Sequence, residues 1–282
     1  MNRSLWIETR PETAYPALEG NVEVDVVVVG AGITGLMTAW LLKFEGRRVA
    51  AVEMRRVAEG ATGYTTAKLT VGHHLIYADL AKKHGLATAR AYADSNQWAI
   101  ERLEQLVSEN GINCDWERAA NFTYTEDEQW LSDLRGEAEA MRRAGISAEL
   151  TTETDLSFAV LGRSGSTRKR NSIRKFLQAL AEKIVGDGSH LYEQTLVCNI
   201  RSGDECTVVT NRGTIRAPHV VLATHLPFLD RGFFFAKVTH RSPTQSRRRF
   251  RSSAPRSRCT SALSNRHARV DLRQNATVHG FS

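Results

Sequence analysis

The sequence has few cysteines and no long apolar segment. None of its apolar runs approaches the length of about 18 residues that a membrane span requires. The four cysteines, Cys114, Cys198, Cys206 and Cys259, form no CxxC pair and no metal-ligand spacing, so we expect buried free thiols and no metal site. Residues 1–16 carry charges and prolines where a secretory signal has an apolar core, so we expect a cytoplasmic protein.

The C-terminal segment lacks lysine and has almost no acid. Residues 241–282 contain ten arginines, eight serines and one acid, Asp271, so this tail carries +9 whereas residues 1–240 carry −2. The tail lacks the interleaved aromatics and helical periodicity of a recognition module, and it has too little apolar content to fold. We expect a disordered basic tail and no specific nucleic-acid partner. A functional tail that binds nucleic acid or anionic lipid is the alternative.

The rest of the chain has the composition of a globular protein, and its clearest motif is a glycine-rich turn. A valine-rich run at 24–29 predicts a strand buried on both faces of a parallel sheet. The sequence Gly30-Ala31-Gly32-Ile33-Thr34-Gly35 follows and opens a helix predicted over Ile33–Phe44. A second strand, 48–53, ends in the acid Glu53. A GxGxxG motif in this context predicts a dinucleotide-binding unit.

Each residue type in the motif has a chemical reason. Gly30 permits the tight turn, Gly32 lets the backbone approach a pyrophosphate, and Gly35 lets the helix pack closely on the strand. The phosphates would lie at the helix N-terminus. Glu53 is placed to accept hydrogen bonds from ribose hydroxyls, and an acid there disfavours a 2′-phosphate, so FAD or NAD is favoured over NADP.

Alternating helices and strands continue through the chain and predict an α/β fold. Helices are expected at 79–110, 128–144 and 176–185, and strands at 121–125, 191–200 and 218–224, the last of them buried. A hairpin is expected around Asn211-Arg212-Gly213.

The segment after the second strand favours FAD. Residues 59–68 form a small, hydroxyl-rich loop that can wrap a diphosphate, and it ends in Gly63-Tyr64-Thr65-Thr66-Ala67-Lys68. With Ser4-Leu5-Trp6, this loop resembles the bacterial branch of the D-amino-acid oxidase-like superfamily of FAD-dependent oxidoreductases. The resemblance covers most of residues 4–238, including Leu75-Ile76-Tyr77 and Val221-Leu222-Ala223-Thr224.

The resemblance implies an architecture and a chemistry. The fold would be a Rossmann-like FAD/NAD(P)-binding domain, from residues 22–75 and 176–226, with an incomplete second, sheet-containing substrate domain in 76–162. A small amine or amino acid would transfer a hydride to the flavin, and an unknown acceptor would reoxidise it. No catalytic residue is assigned. The expected FAD-binding residues are Gly30, Gly32, Ile33, Thr34, Gly35, Glu53, Thr62, Gly63, Thr65, Thr66, Lys68, Val197, Ala223 and Thr224.

Two stretches depart from the family pattern. Residues 163–174, read two bases later in a suitable choice of codons, give Ile-Arg-Phe-His-Pro-Glu-Ala-Gln-Phe-His-Pro, which is similar to the family. Residues 241–261 allow a comparable reading. We therefore interpret 163–174 and 241–282 as out-of-frame translation and the chain as C-terminally truncated. The alternatives to an active FAD-dependent oxidoreductase are a catalytically inactive dinucleotide-binding remnant of such an enzyme and an NAD-dependent dehydrogenase.

Overall fold

A computed structural model describes residues 12–65, 67–153, 161–170, 173–225, 228 and 260–263. Five α-helices lie within these ranges: α1 Ile33–Phe44, α2 Ile76–His84, α3 Leu86–Glu109, α4 Leu131–Arg143 and α5 Ile173–Ile184. The strands are β1 Gly20–Glu23, β2 Val26–Val29, β3 Val49–Val52, β4 Lys68–Thr70, β5 Glu117–Thr125, β6 Glu149–Thr151, β7 Gly162–Arg170, β8 His190–Tyr192, β9 Val197–Arg201, β10 Cys206–Thr210, β11 Gly213–Ala217, β12 His219–Leu222 and β13 Thr260–Leu263.

A parallel sheet in the order β12-β2-β3-β8 carries the glycine-rich turn. The valines of β2 are buried, as are all residues of β3, because the sheet is covered on both faces. Val26 and Val28 face α1 and α5, whereas Val27 and Val29 face an antiparallel layer. The expected α/β architecture with a Rossmann-like unit is therefore confirmed.

The antiparallel layer has the strand order β1-β11-β10-β9 and contains the predicted hairpin. Strands β10 and β11 pair antiparallel, with Cys206 opposite Ala217. Val208 and Ile215 are fully buried against the underside of the parallel sheet. This layer completes the second face of the parallel sheet.

A second region contains a five-stranded sheet and three helices. Its strands run in the order β13-β5-β7-β4, and β6 pairs with β7 as well. Helices α2, α3 and α4 pack around Tyr77, Ala89, Ala93 and Met141. Apart from β13, which comes from the C-terminal segment, this region lies between β3 and α5 in the chain and so interrupts the Rossmann-like unit.

A buried acid, Glu137, connects two helices of this region. Glu137 on α4 is fully buried, and its carboxyl oxygens accept the backbone N–H groups of Tyr77 at 3.0 Å and Ala78 at 2.7 Å. These groups belong to the first turn of α2, where N–H groups have no partner inside the helix. Burial raises the pKa of Glu137 to about 7, against the lowering effect of the two N–H donors.

Several boundaries differ from the sequence predictions. The helix expected at 79–110 is two helices, because Gly85 between them has a φ of +85°. The strand expected at 191–200 is β8 and β9, which belong to different sheets, with a turn at Gln194 where φ is +50°. Strand β12 is not buried: it is an edge strand in the described sheet, and 47% of Leu222 is exposed.

Two further expectations are only partly met. Cys114 is buried as expected, but Cys198 is exposed and Cys206 is half-buried, while Cys259 lies outside the described residues. Of the tail expected to be disordered, the structure describes only β13, which pairs parallel with β5 and so departs from that expectation. The rest of residues 241–282 lies outside the described ranges.

Candidate functional site

The glycine-rich turn lies between the ends of two strands. Gly30 donates its N–H to the Val52 carbonyl at 2.7 Å, and Ala223, just after β12, donates to Val29 at 2.8 Å. The φ of Gly30 is +104°, and a Cβ added there would lie 2.5 Å from the Ala223 carbonyl oxygen. Gly30 is therefore required both by its backbone conformation and by its contact with Ala223.

The three motif glycines differ in what surrounds them. A Cβ on Gly35 would overlap the Gly30 carbonyl oxygen and lie 2.9 Å from its carbon. A Cβ on Gly32 would meet only the Thr62 hydroxyl, at 3.0 Å. Gly30 and Gly35 are thus needed for the fold itself, whereas Gly32 leaves a space that no other described group fills within 4 Å.

At the start of α1, some backbone N–H groups have no hydrogen-bond acceptor among the described residues. Gly32 is its N-cap residue and provides no side-chain cap. The Thr62 hydroxyl accepts the Ile33 N–H at 3.2 Å, and the Gly32 carbonyl accepts the Leu36 N–H at 3.0 Å. Within the described part of the chain, the N–H groups of Gly32 and Thr34 have no acceptor. A helix start with such N–H groups is suited to an anion.

The acid Glu53 directly contacts the glycine-rich turn. One carboxylate oxygen accepts the Ala31 N–H at 2.9 Å, and the other accepts the Arg55 N–H, also at 2.9 Å. Glu53 is half-buried at the end of β3. A carboxylate has about four acceptor positions, so these two bonds leave capacity for ribose hydroxyls.

The hydroxyl-rich loop is only partly at the turn. Thr62 and Gly63 are buried in a short 3-10 helix, Ala61–Tyr64, and Thr62 contacts the start of α1. The Thr65 hydroxyl accepts the Ala67 N–H at 3.3 Å. Lys68 begins β4 opposite Arg170 of β7, in the five-stranded sheet, and Thr66 lies outside the described residues.

The late site residues are divided between two positions. Ala223 contacts the glycine-rich turn as described, and half-buried Thr224 follows it. Val197 begins β9 and is 6% exposed, packed in the core between the two layers. Two residues before it, Thr195 donates its N–H to the Glu53 carbonyl at 3.0 Å, which places this turn beside the end of β3.

The sequence prediction missed Glu193. Its side chain is 1% exposed, and the carboxylate accepts the Val57 N–H at 2.7 Å and the Tyr15 N–H at 3.1 Å. The available signal was the run Glu193-Gln194-Thr195, three successive polar residues that interrupt the alternation expected of a half-buried strand. The structure places it in the turn between β8 and β9.

The described ranges contain no group of three or more His, Cys, Asp or Glu side chains arranged to hold a metal ion. The helices in those ranges are all too short or too polar to cross a membrane.

The sequence is similar to proteins of known family. The model of the FAD dependent oxidoreductase family, DAO, matches residues 25–261. A Bacillus subtilis (strain 168) protein named as the Rieske 2Fe-2S iron-sulfur protein YhfW is 34% identical over 236 residues, which cover 82% of this chain and 46% of the relative. Gamma-glutamylputrescine oxidoreductase of Escherichia coli (strain K12) is 26% identical, over 74% of this chain and 50% of that enzyme.

Solved structures show the same fold. Glycine oxidase from Geobacillus kaustophilus superposes with a TM-score of 0.56 at 23% identity, covering 72% of this chain and 55% of that one. L-proline dehydrogenase from P. horikoshii gives a TM-score of 0.57 at 22% identity, covering 73% of this chain and 54% of that one. The chain spans about half the length of these relatives. Since the family model covers most of its residues, the chain belongs to the family of FAD-dependent oxidoreductases.

Proposed function

We propose that this chain binds FAD through the glycine-rich turn and Glu53. The observation that carries the proposal is the start of α1, where the N–H groups of Gly32 and Thr34 have no acceptor in the described structure and lie in the same turn that Glu53 contacts. An anionic pyrophosphate fits these N–H groups and the positive end of the helix. The space next to Gly32 allows its approach.

The remaining predicted residues extend this site. Ile33 and Gly35 belong to the pyrophosphate turn, and Glu53 would accept the ribose hydroxyls. The loop residues Thr62, Gly63, Thr65, Thr66 and Lys68 would support the diphosphate, the Val197 backbone would face the adenine, and Ala223 and Thr224 would pass near the cofactor. The contacts of Thr62 and Ala223 with the turn support this arrangement.

The proposed activity is oxidation of a small amine or amino acid. When bound, FAD would accept a hydride from the carbon next to the amine. The relatives support this substrate class, because their names refer to gamma-glutamylputrescine, glycine and proline. The protein's own contribution is to bind and orient both partners. We further propose a cytoplasmic location, while the electron acceptor is unassigned.

A catalytically inactive dinucleotide-binding remnant is the second candidate, and strand β7 favours it. This strand has partners on both sides, pairing with β5 over nine residues and with β4 and β6 opposite. Its sequence, GRSGSTRKR, contains no apolar or β-branched residue except Thr167. Inner strands are normally rich in such residues, so the fold has a strand where the sequence does not suit one. This mismatch supports our proposal that residues 163–174 are out of frame.

Flavin titration of the purified chain tests the binding proposal. We expect FAD to bind and its fluorescence to change, and Gly32→Val to abolish binding because the side chain enters the pyrophosphate position. Gly136→Val is the matched control, since a Cβ at this exposed helical position has nothing within 4 Å. A folded Gly32→Val protein with full flavin content would contradict the proposal, and preferential binding of NAD would favour the dehydrogenase alternative.

Amine-dependent flavin bleaching separates an enzyme from a remnant. The assay compares the chain as it stands with a version in which the reading frame of residues 163–174 and 241–282 is restored. We expect stronger flavin retention and amine-dependent bleaching in the restored version. Equal behaviour of both versions would argue against the frame interpretation, and the nucleotide sequence at codons 162–175 and 238–282 tests it directly.

A further inference from the structure

The turn between β8 and β9 bonds to two other segments of the chain near the proposed FAD site. Glu193 donates its N–H to Pro16 and Thr195 donates to Glu53, at 3.2 and 3.0 Å. Gln194 donates to the Arg55 carbonyl at 2.9 Å. The turn therefore contacts both the N-terminal segment, residues 12–18, and the segment after β3, residues 53–58.

The Glu193 carboxylate contacts both of these segments in the protein interior. It accepts the Thr13 hydroxyl and the Tyr15 N–H from the N-terminal segment, and it accepts the Val57 N–H at 2.7 Å from the other. Val57 is fully buried, so its N–H has no access to water. A buried N–H that loses its acceptor is strongly unfavourable, because neither the protein nor water replaces the lost hydrogen bond. The carboxylate is thus the group that makes this position of Val57 stable.

Hydrogen bonds link the segment that contains Val57 to the glycine-rich turn. The next residue, Ala58, is buried and donates its N–H to the Ala31 carbonyl at 3.1 Å. Ala31 also donates its own N–H to Glu53. The same peptide segment therefore bonds to the turn from both of its ends, at Glu53 and at Ala58.

We infer that Glu193 is a positioning residue of the dinucleotide site: by binding Val57 it holds residues 53–58 against the glycine-rich turn in the arrangement that receives the cofactor. This inference rests on the proposed FAD binding. Among the described residues, no hydrogen bond joins Glu193 to the glycine-rich turn, so it acts through Val57, Ala58 and Glu53. Its second set of bonds fixes the N-terminal segment to the same point.

The substitution Glu193→Gln tests the inference with little change in size. A carboxamide has one acceptor oxygen and an NH₂ group, which would face an N–H or O–H donor. Glu182→Gln is the matched control, because Glu182 is exposed on α5 and also lies near Tyr15. Thr13→Val is a second control that removes only a bond to the N-terminal segment. If the Glu193→Gln variant does not fold, the Glu193→Asp variant, which retains the charge, is used in its place.

Amide hydrogen exchange of the chain without added flavin provides the first readout. We expect the Val57 and Ala58 amides to exchange at least about tenfold faster in Glu193→Gln, as a loss of about 1.4 kcal/mol would give, and to be unchanged in Glu182→Gln and Thr13→Val. Unchanged exchange at Val57 would overturn the inference whatever the flavin affinity.

Affinity for FAD provides the second readout. We expect Glu193→Gln to weaken FAD binding by at least about tenfold, and the two controls to retain it within about twofold. Normal FAD affinity together with faster exchange would overturn the positioning role. An unaltered chain that binds no FAD would refute the proposed function, whereas the exchange result would still decide whether Glu193 holds residues 53–58.

Discussion

Replacing Gly35 by alanine should strongly destabilise the protein, although alanine favours helices. The added Cβ would overlap the Gly30 carbonyl oxygen and lie 2.9 Å from its carbon, while ordinary contacts begin at 3.4 Å. Helix α1 would have to move away from the turn by at least about 0.5 Å, and more to clear the oxygen. Because Gly30 is itself fixed between Val52 and Ala223, we expect a loss of about 3 kcal/mol in the free energy of unfolding.

Urea denaturation followed by circular dichroism measures this loss, and Gly136 provides the control. Gly136 lies in α4, is exposed, and has nothing within 4 Å of an added Cβ. Gly136→Ala should therefore raise the free energy of unfolding by about 0.5–1 kcal/mol through helix propensity alone. If Gly35→Ala were as stable as the unaltered chain, the close approach of α1 to Gly30 could not be a requirement of the fold.

The remaining predictions concern two acids. Glu53→Gln should weaken FAD binding by about 1–3 kcal/mol in a flavin titration, because a charge-assisted acceptor is lost, and unchanged affinity would place the ribose elsewhere. For Glu137, the folded pKa of about 7 lies above its ordinary value, so its stabilising contribution is complete below the ordinary value and is lost as pH rises through 7. Between pH 5 and 8 the free energy of unfolding should fall by roughly 1–3 kcal/mol. Glu137→Gln should make the free energy of unfolding depend less on pH in this range. An equal pH dependence in both proteins would contradict the role given to Glu137.

Local sequence signals predicted the parts of the fold that depend on local structure. The helix Ile33–Phe44 is confirmed at both ends, because a glycine-rich turn precedes it and Gly46 follows. The hairpin is confirmed as well, since Asn211-Arg212-Gly213 suits a tight turn. The motif placed Glu53 near the glycine-rich turn, and the resemblance of the loop 59–68 to the family placed Thr62 there; both side chains contact the turn, while their role in binding FAD stays a prediction.

Features set by tertiary contacts were not predictable in the same way. Nothing in the apolar pattern of 79–110 distinguishes one helix from two, because Gly85 is tolerated inside helices and breaks this one only through its positive φ. The continuous prediction across 191–200 ignored Glu193, whose buried position depends on partners 136 to 180 residues away in the sequence. Such distant partners leave no local periodicity.

The proposed site residues are distributed unequally between the Rossmann-like unit and the second region, and this distribution affects which ligands the chain can bind. Most of the groups proposed for the adenosine diphosphate half belong to residues 30–35, 53–63 and 193–197 of the Rossmann-like unit, whereas Lys68 lies in β4 of the five-stranded sheet. The five-stranded sheet is different, since its inner strand β7 has an unsuitable sequence and its edge strand β13 comes from the arginine-rich tail. Out-of-frame translation of residues 163–174 and 241–282 would therefore weaken the second region, including β4 with Lys68, while leaving the glycine-rich turn with Glu53 and Thr62 in place. On this reasoning ADP should bind the given chain and the frame-restored chain equally, whereas the affinity for intact FAD should differ between them.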